Sequence, residues 1–227
     1  MSTKKSYCTN SEKPQISLLW PTKISVGVFD RAIESIKESC SDPKKIEILF
    51  KVEDGANIDY LQETVSSIGC NFYVIINDLC GYQNMHIFFN EIFEHAVGDL
   101  IFTFADDLLI YGDWVQEFLA SLYWFKDGIY VINTRSHSWT PYPVISRRFV
   151  SILGYVSPCH QIDSWVQNVA KQIGRYPHLP ESKISIVHDH VGPPSQNTIG
   201  RNIILSSRSI ITSQSSIAAQ KLKSHLE

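Results

Sequence analysis

Residues 98–110 read GDLIFTFADDLLI, an apolar run rich in strand-forming residues that is interrupted by two adjacent aspartates. Such a run is typical of a buried β-strand. Asp106 and Asp107 place two like charges at the end of that strand, where they repel each other unless a cation or a proton relieves them. The stretch therefore predicts either an ordinary polar strand end, such as a turn or a helix cap, or a site for a positive group.

The chain before this stretch alternates between strand and helix patterns. The predicted strands are 16–20, 46–52 and 71–78, and the predicted helices are 29–40, 58–69 and 81–97. A βαβαβα order predicts an α/β fold with a mainly parallel central sheet, flanked by helices and joined by right-handed crossovers. The chain is therefore expected to form a single Rossmann-like domain.

The two ends of the chain and its second half are less regular. The predicted elements there are helices at 113–125 and 162–175, strands at 128–134 and 182–190, a short strand and helix within 141–156, and a helix from Ile217. The polar residues 1–14 are expected to be disordered.

Polar residues follow several of the predicted strands, and in open parallel sheets ligands bind beyond the carboxyl ends of the strands. These clusters are Pro21-Thr22-Lys23, Glu53-Asp54-Gly55, Asn77-Asp78 and Asp106-Asp107. In the later strand that ends HDH, His188 and His190 share one face, since residues i and i+2 do so in a strand. Carboxylates at a strand end suit a divalent cation such as Mg²⁺ or Mn²⁺ that holds substrate phosphates. Each motif alone also fits surface polarity, and Asp163 fits a first-turn helix carboxylate.

Composition limits the class of protein. The 227 residues are 44% hydrophobic and 19% charged with a net charge of −3, an ordinary globular mixture without a basic field for nucleic acid. Five cysteines without a CxxC pair predict reduced thiols and no zinc framework. The sequence has no signal-peptide pattern and no run near the roughly 20 apolar residues of a membrane span, so a cytoplasmic location without a transmembrane segment is expected.

Six segments, taken in order, resemble those of a GT-A nucleotide-sugar glycosyltransferase close to glycosyltransferase family 2. They read ISLLWPTK, ILFKVEDG, GYQNMHIFFNEIFEHAVGDLIFTFADD, YPVISRRFVSILGYV, QIDSWV and IVHDH. The resemblance implies a GT-A domain at 15–192, with a nucleotide-sugar half at 15–110 and an acceptor half at 111–192. Residues 193–227 remain as a tail that could belong to the acceptor side.

The resemblance also implies roles for individual residues. Asp107 would bind Mn²⁺ or Mg²⁺, and His190 or His188 would complete the metal shell. Asp163 would be the base that deprotonates the acceptor hydroxyl. The nucleotide side would be formed by Pro21, Thr22, Lys23, Glu53, Asp54, Gly81, Tyr82, Asn90 and Asp106. Glu53 or Asp54 would contact the base and Asp106 the ribose or the metal, while Arg147 would lie near the diphosphate or the acceptor.

The implied activity is metal-dependent, inverting transfer of a sugar from a UDP- or GDP-sugar to a hydroxyl of a glycan or glycoconjugate. The sequence departs from the family pattern at two places. Phe104 or Ala105 stands where the family's DxD motif has its first aspartate, and Gln161 and Ile162 precede Asp163 where acidic residues are usual. Two alternatives stay open: a nucleotidyltransferase that builds nucleotide-sugars, for which WPTKISVGVFD is a poor phosphate loop, and a catalytically inactive nucleotide-sugar binding module.

Overall fold

The computed structural model describes residues 3–7, 11–77, 81–134, 142–179, 183–189 and 197–226. The strands are β1 (Thr3–Tyr7), β2 (Ile16–Pro21), β3 (Ile46–Glu53), β4 (Asn71–Asn77), β5 (Leu100–Thr103), β6 (Leu108–Gly112), β7 (Val131–Ile132), β8 (Val144–Ser146) and β9 (Ile184–His188). The helices are α1 (Val28–Ser39), α2 (Ile58–Ser66), α3 (Met85–Phe93), α4 (Trp114–Ser121), α5 (Arg147–Leu153), α6 (Ile162–Gln172) and α7 (Asn197–Lys223).

A seven-stranded sheet in the order β1-β4-β3-β2-β5-β8-β7 forms the centre of the molecule. The four strands β4, β3, β2 and β5 are parallel, whereas β1 and β8 join the edges antiparallel. Leu18 and Leu19 of β2 are fully buried in cores on opposite faces of the sheet, because successive strand side chains alternate in direction. This architecture confirms the predicted α/β fold with a mainly parallel sheet covered by helices.

The stretch 98–110 forms two strands that lie in different sheets. β5 lies in the central sheet and ends at Thr103, while β6 leaves it and pairs antiparallel with β9. In that pair Leu108 is opposite His188. The two aspartates therefore lie in the connection between the sheets, and the pairing brings the HDH segment beside them.

Two expectations for the chain ends are wrong. Residues 3–7, within the segment predicted to be disordered, form β1 along β4, and the Tyr7 ring stacks on Phe72 with centroids 4.7 Å apart. The C-terminal helix begins at Asn197 rather than at Ile217. Its nearly fully buried side chains include Ser207 and Ser215, so small polar residues pack against the domain in that part of the helix.

Within the described ranges, no helix is both long and apolar enough to cross a membrane.

Candidate active site

Asp106 is held at the carboxyl end of the central sheet by three hydrogen-bond donors. The Trp20 indole Nε1 donates to Asp106 Oδ1 at 2.7 Å, and the Thr22 hydroxyl and the Lys23 backbone N–H also bond to the carboxylate. Burial nevertheless raises the pKa of Asp106, and repulsion from Asp107 adds to that rise. Asp106 is thus a fixed carboxylate whose orientation is set by the end of β2.

Asp107 contacts the second sheet. Its Oδ2 lies 2.6 Å from His188 Nε2, and its carbonyl oxygen accepts a hydrogen bond from the Asp189 backbone N–H at 2.7 Å. Arg31 of α1 donates to the Asp189 carboxylate at 2.9 Å, which ties this corner to the rest of the domain. The β6–β9 pairing therefore joins the two sequence motifs into one carboxylate–imidazole pair.

The chemistry of this pair fits the divalent ion that the resemblance implies. Carboxylate oxygen and neutral imidazole nitrogen are both ordinary ligands for Mn²⁺ and related ions. The Asp107 side chain is 40% exposed, so its carboxylate remains reachable from the adjoining cavities. Among the described residues, no third histidine, cysteine or acidic side chain completes the group. His190, the other predicted ligand, lies outside the described residues, as does Asp78.

A cavity of about 450 Å³ opens at the carboxyl ends of β2 and β3, and we call it the β2–β3 cavity. Its lining residues are Pro21, Thr22, Lys23, Ser25, Val28, Lys51, Val52, Glu53, Gly81, Met85, Phe88, Ala105, Asp106 and Asp107. Seven of the predicted site residues are in this set. Asp54 is not in this set, and its carboxylate accepts a hydrogen bond from the Gly55 N–H at 3.0 Å within an exposed turn.

A second cavity of about 260 Å³ lies on the other side of Asp107, and we call it the Asp163 cavity. Its lining residues are Met85, Phe89, Thr103, Phe104, Ala105, Asp107, Tyr142, Pro143, His160, Ile162, Asp163 and His188. Met85, Ala105 and Asp107 line both cavities, which therefore meet at the predicted metal ligand.

Asp163 stands in the first turn of α6, where helix N-termini favour a negative charge. Burial is nevertheless the dominant influence and raises the pKa of the carboxyl group, while the backbone N–H groups of Ser164 and Asp163 offset this only in part. A desolvated carboxylate is a stronger base than one in water. Asp163 therefore has the position and the electrostatic setting of a proton acceptor.

Besides Asp54, two further predicted site residues are not brought to these cavities. Asn90 is instead hydrogen-bonded to the loop before α6. Its Nδ2 donates to the Ser157 carbonyl at 2.9 Å, and its Oδ1 accepts a hydrogen bond from the Val156 N–H at 2.8 Å. Arg147 donates from Nε to the Gly98 carbonyl at 2.5 Å, at the amino end of β5. Because β8 runs antiparallel to β5, α5 begins at the amino end of β5, and Asp107 lies beyond the carboxyl end of that strand. Of Tyr82, only the backbone is described, in a single 3₁₀ turn at 82–84.

Sequence reasoning missed three side chains that shape the site. Trp20 orients Asp106, and His160 lines the Asp163 cavity. Lys51 lies buried in the wall of the β2–β3 cavity, where it forms an ion pair with Glu91 and lies 5.1 Å from the centre of the Phe88 ring. A lysine within the apolar run 46–52 was the available signal for this last residue.

No protein-family model and no curated protein sequence matches the chain. Solved structures do match it. The Pyrobaculum calidifontis mannosyltransferase PcManGT, in complex with GDP-Man and Mn²⁺, aligns with a TM-score of 0.63 at 12% identity over 95% of this chain and 74% of its own. Glucosyl-3-phosphoglycerate synthase from Mycobacterium tuberculosis, with Mn²⁺, UDP and phosphoglyceric acid, gives 0.60 at 11% identity over 87% and 78%.

S. aureus TarS 1-349 in complex with UDP aligns with a TM-score of 0.60 at 10% identity over 76% of this chain. The chain spans 60% of the length of that TarS fragment. At these identities the agreement concerns architecture. The parallel central sheet with its flanking helices agrees with that architecture, and the chain has the fold of the GT-A nucleotide-sugar glycosyltransferases.

Proposed function

We propose that this protein is an inverting glycosyltransferase that moves a sugar from a UDP- or GDP-sugar to a hydroxyl group of an acceptor. The observation that carries the proposal is the junction of two cavities at Asp107, with the half-buried Asp163, whose pKa is raised by burial, in one of them. The structural neighbours solved with UDP or GDP-Man support a nucleotide-sugar as the donor, which we assign to the other cavity.

In this proposal the nucleotide occupies the β2–β3 cavity. Glu53, at the end of β3, is suited to accept a hydrogen bond from the base, and Asp106 from the ribose. The indole of Trp20 keeps the Asp106 carboxylate in one orientation. Pre-oriented acceptors of this kind favour one pose of the donor and reduce the entropy lost on binding.

Asp107 and His188 would hold a divalent ion, Mn²⁺ or Mg²⁺, against the donor diphosphate. When bound, such an ion stabilises the negative charge that develops on the leaving diphosphate. Two neighbours that were solved with Mn²⁺ support a divalent ion in the reaction.

Asp163 then receives the proton of the acceptor hydroxyl as that oxygen attacks the anomeric carbon. The bond from the anomeric carbon to the diphosphate breaks, and attack from the opposite face inverts the configuration. An ordinary aspartate, with a pKa of about 4, is a weak base for a hydroxyl. Burial raises the pKa of Asp163 and so brings its basicity closer to that task.

The proposal is tested with the Asp163→Asn variant and calorimetric titrations of UDP-glucose, UDP-GlcNAc and GDP-mannose, each with and without Mn²⁺. We expect wild-type protein to bind one of these donors in a Mn²⁺-dependent manner and to release its nucleotide. Asp163→Asn should bind that donor with similar affinity but turn it over at least about 100-fold more slowly, the usual contribution of a general base.

Asp59→Asn is the matched control, because Asp59 also lies in the first turn of a helix but is exposed on α2. Its turnover should equal that of the wild type. Near-normal turnover by Asp163→Asn would remove that residue from the role of base. Failure of the wild type to bind any nucleotide-sugar would refute the proposed function as a whole. Binding without turnover would indicate a binding module.

A further inference from the structure

The loop that follows β2 contains a backbone conformation that its sequence does not favour. At Ile24 φ is +53°, and among the residues that the structure describes no other non-glycine residue has a positive φ. A β-branched residue is sterically strained in this left-handed region. The Ile24 side chain is nonetheless only 8% exposed and belongs to the same hydrophobic cluster as Phe29 and Phe50. Burial of the side chain therefore offsets the strain of the backbone.

The N–H group and the side chain of Ile24 are held by different partners. The N–H donates to the hydroxyl oxygen of Thr22 at 2.8 Å, while the side chain packs into the core. The angle φ sets the direction of the side chain relative to the N–H, so a return to negative φ would release one of these two contacts. The Thr22 N–H in turn donates to the Lys51 carbonyl at 2.9 Å and extends the pairing of β2 with β3. Residues 22–24, which we call the Thr22 turn, are thus fixed at both ends.

The Thr22 turn supplies two of the three hydrogen bonds that orient the Asp106 carboxylate. The Thr22 hydroxyl and the Lys23 N–H bond to it, and the Trp20 indole is the third donor. Because the Thr22 oxygen accepts the Ile24 N–H, the proton of that hydroxyl is free to point at Asp106. An ionised carboxylate accepts about four hydrogen bonds, so about one position is left for a ligand in the β2–β3 cavity, whose wall includes Asp106.

We propose that Ile24 is a positioning residue that fixes the Asp106 carboxylate for one hydroxyl group of the donor's ribose. This proposal rests on the proposed function, since it concerns the nucleotide of that reaction. Ile24 is not among the residues that line the β2–β3 cavity, and it acts only through the Thr22 turn. A fixed acceptor favours a ligand that reaches it without reorganisation, so the site should prefer ribose to a ring without hydroxyl groups.

The test compares UDP and GDP with their 2′,3′-dideoxy forms, titrated into the full chain with Mn²⁺ by isothermal calorimetry. The wild type should bind the better ribonucleotide at least about 10-fold more tightly than its dideoxy form, because a hydrogen bond to a charged group contributes about that much. Ile24→Ala keeps the strain but loses the buried side chain, so the turn should relax and the preference should fall below about 3-fold. Ile24→Leu, which retains a large apolar side chain, should keep most of the preference.

A second pair of variants tests the same step without a change in the core. Thr22→Val removes the hydroxyl but keeps the branched shape, and its preference for ribose should fall as in Ile24→Ala. Thr22→Ser retains a hydroxyl and should keep the preference. These two variants decide the question if Ile24→Ala does not fold, which circular dichroism would show.

Ile33→Ala is the control for loss of a buried side chain, because Ile33 is 1% exposed in the same cluster but lies on the regular helix α1. It should lower the melting temperature and leave the preference for ribose unchanged. An unchanged preference in folded Ile24→Ala or in Thr22→Val, or a wild type that binds both forms equally, would overturn the inference. Failure of the wild type to bind either ribonucleotide would instead refute the proposed function.

Discussion

At the scale of single residues, the site depends on placing carboxylates where water cannot solvate them fully. Burial raises the pKa values of both Asp106 and Asp163, although hydrogen bonds to each carboxylate act in the opposite direction. A charged group that is retained in such a setting lowers the stability of the fold. Such a loss of stability is typical of residues that serve a function rather than of residues that only fill the core.

The pKa of Asp163 leads to a stability prediction with a definite sign. Because the folded-state pKa is raised, the folded protein binds more protons than the unfolded chain between the two pKa values. Stability therefore falls as the pH rises through that window, and Asp163→Asn should have a higher melting temperature than the wild type at pH 7. The difference should vanish near about pH 3.5, below the ordinary carboxyl pKa.

Thermal melts of the two proteins from pH 3.5 to pH 7.5 check this expectation. Asp59→Asn should show no gain at neutral pH, since its carboxylate is exposed at a helix N-terminus and contributes a small stabilisation there. A constant difference between Asp163→Asn and the wild type across the range would contradict burial as the cause.

At the scale of elements, the two-stranded sheet of β6 and β9 brings Asp107 and His188, the proposed metal ligands, together. Its register sets Leu108 opposite His188 and Gly112 opposite Ile184. At Gly112 φ is +84°, and an added Cβ would lie 2.2 Å from the carbonyl oxygen of Lys183. Real Cβ atoms cannot approach backbone so closely, so β6 and β9 would have to separate or shift.

We therefore expect Gly112→Ala to weaken Mn²⁺ binding as well as stability. The shift of β9 would move His188 away from Asp107 at the other end of the same strand pair. Gly69→Ala is the matched control: φ there is +79°, but nothing lies within 4 Å of the added Cβ. It should lose only the roughly 1–2 kcal/mol of a left-handed backbone.

Differential scanning calorimetry and Mn²⁺ titration distinguish two effects. Both variants have backbone strain at positive φ, whereas only Gly112→Ala has the clash with Lys183. Equal losses of stability, or unchanged Mn²⁺ affinity in Gly112→Ala, would show that the register of this sheet does not position the site.

At the scale of the whole molecule, α7 packs into one of the two hydrophobic cores that cover the faces of the central sheet. Leu222 and Ala219 are buried in the same cluster as Leu19 and Leu49 of the central sheet. Asn168 and Gln172 of α6 donate to the hydroxyl of Ser215 at 2.9 and 3.0 Å. The helix that carries Asp163 is therefore packed between the sheet face and the C-terminal helix.

Leu222→Ala should destabilise the entire domain by about 2–5 kcal/mol, because it leaves a cavity in a fully buried position. For a chain of this size each kcal/mol lowers the melting temperature by roughly 2–4 °C. Ile217→Ala, on the same helix but with 66% of the residue exposed, should change stability by less than about 0.5 kcal/mol.

Chemical unfolding followed by far-UV circular dichroism and by tryptophan fluorescence provides the measurement. Both signals should shift together in Leu222→Ala. A separate early transition of the helical signal would mean that α7 unfolds independently of the domain.

The sequence by itself determined the order of strands and helices in the first half of the domain. It also determined that polar side chains would gather at the strand ends, because hydrophobic periodicity and strand-end polarity are local properties. Pro21, Thr22, Lys23 and Glu53 lie together at the β2–β3 cavity for that reason.

Only the tertiary structure decided which motifs meet. Asp107 contacts His188 across 81 positions of sequence, through a strand pair that no local pattern specifies. Arg147 lies at the amino end of β5, away from the two cavities, because β8 runs antiparallel to β5. Asn90 is hydrogen-bonded to the loop before α6. Burial in the folded chain also raises the pKa of Asp163 and lowers that of His160, since desolvation depends on everything that packs around a group.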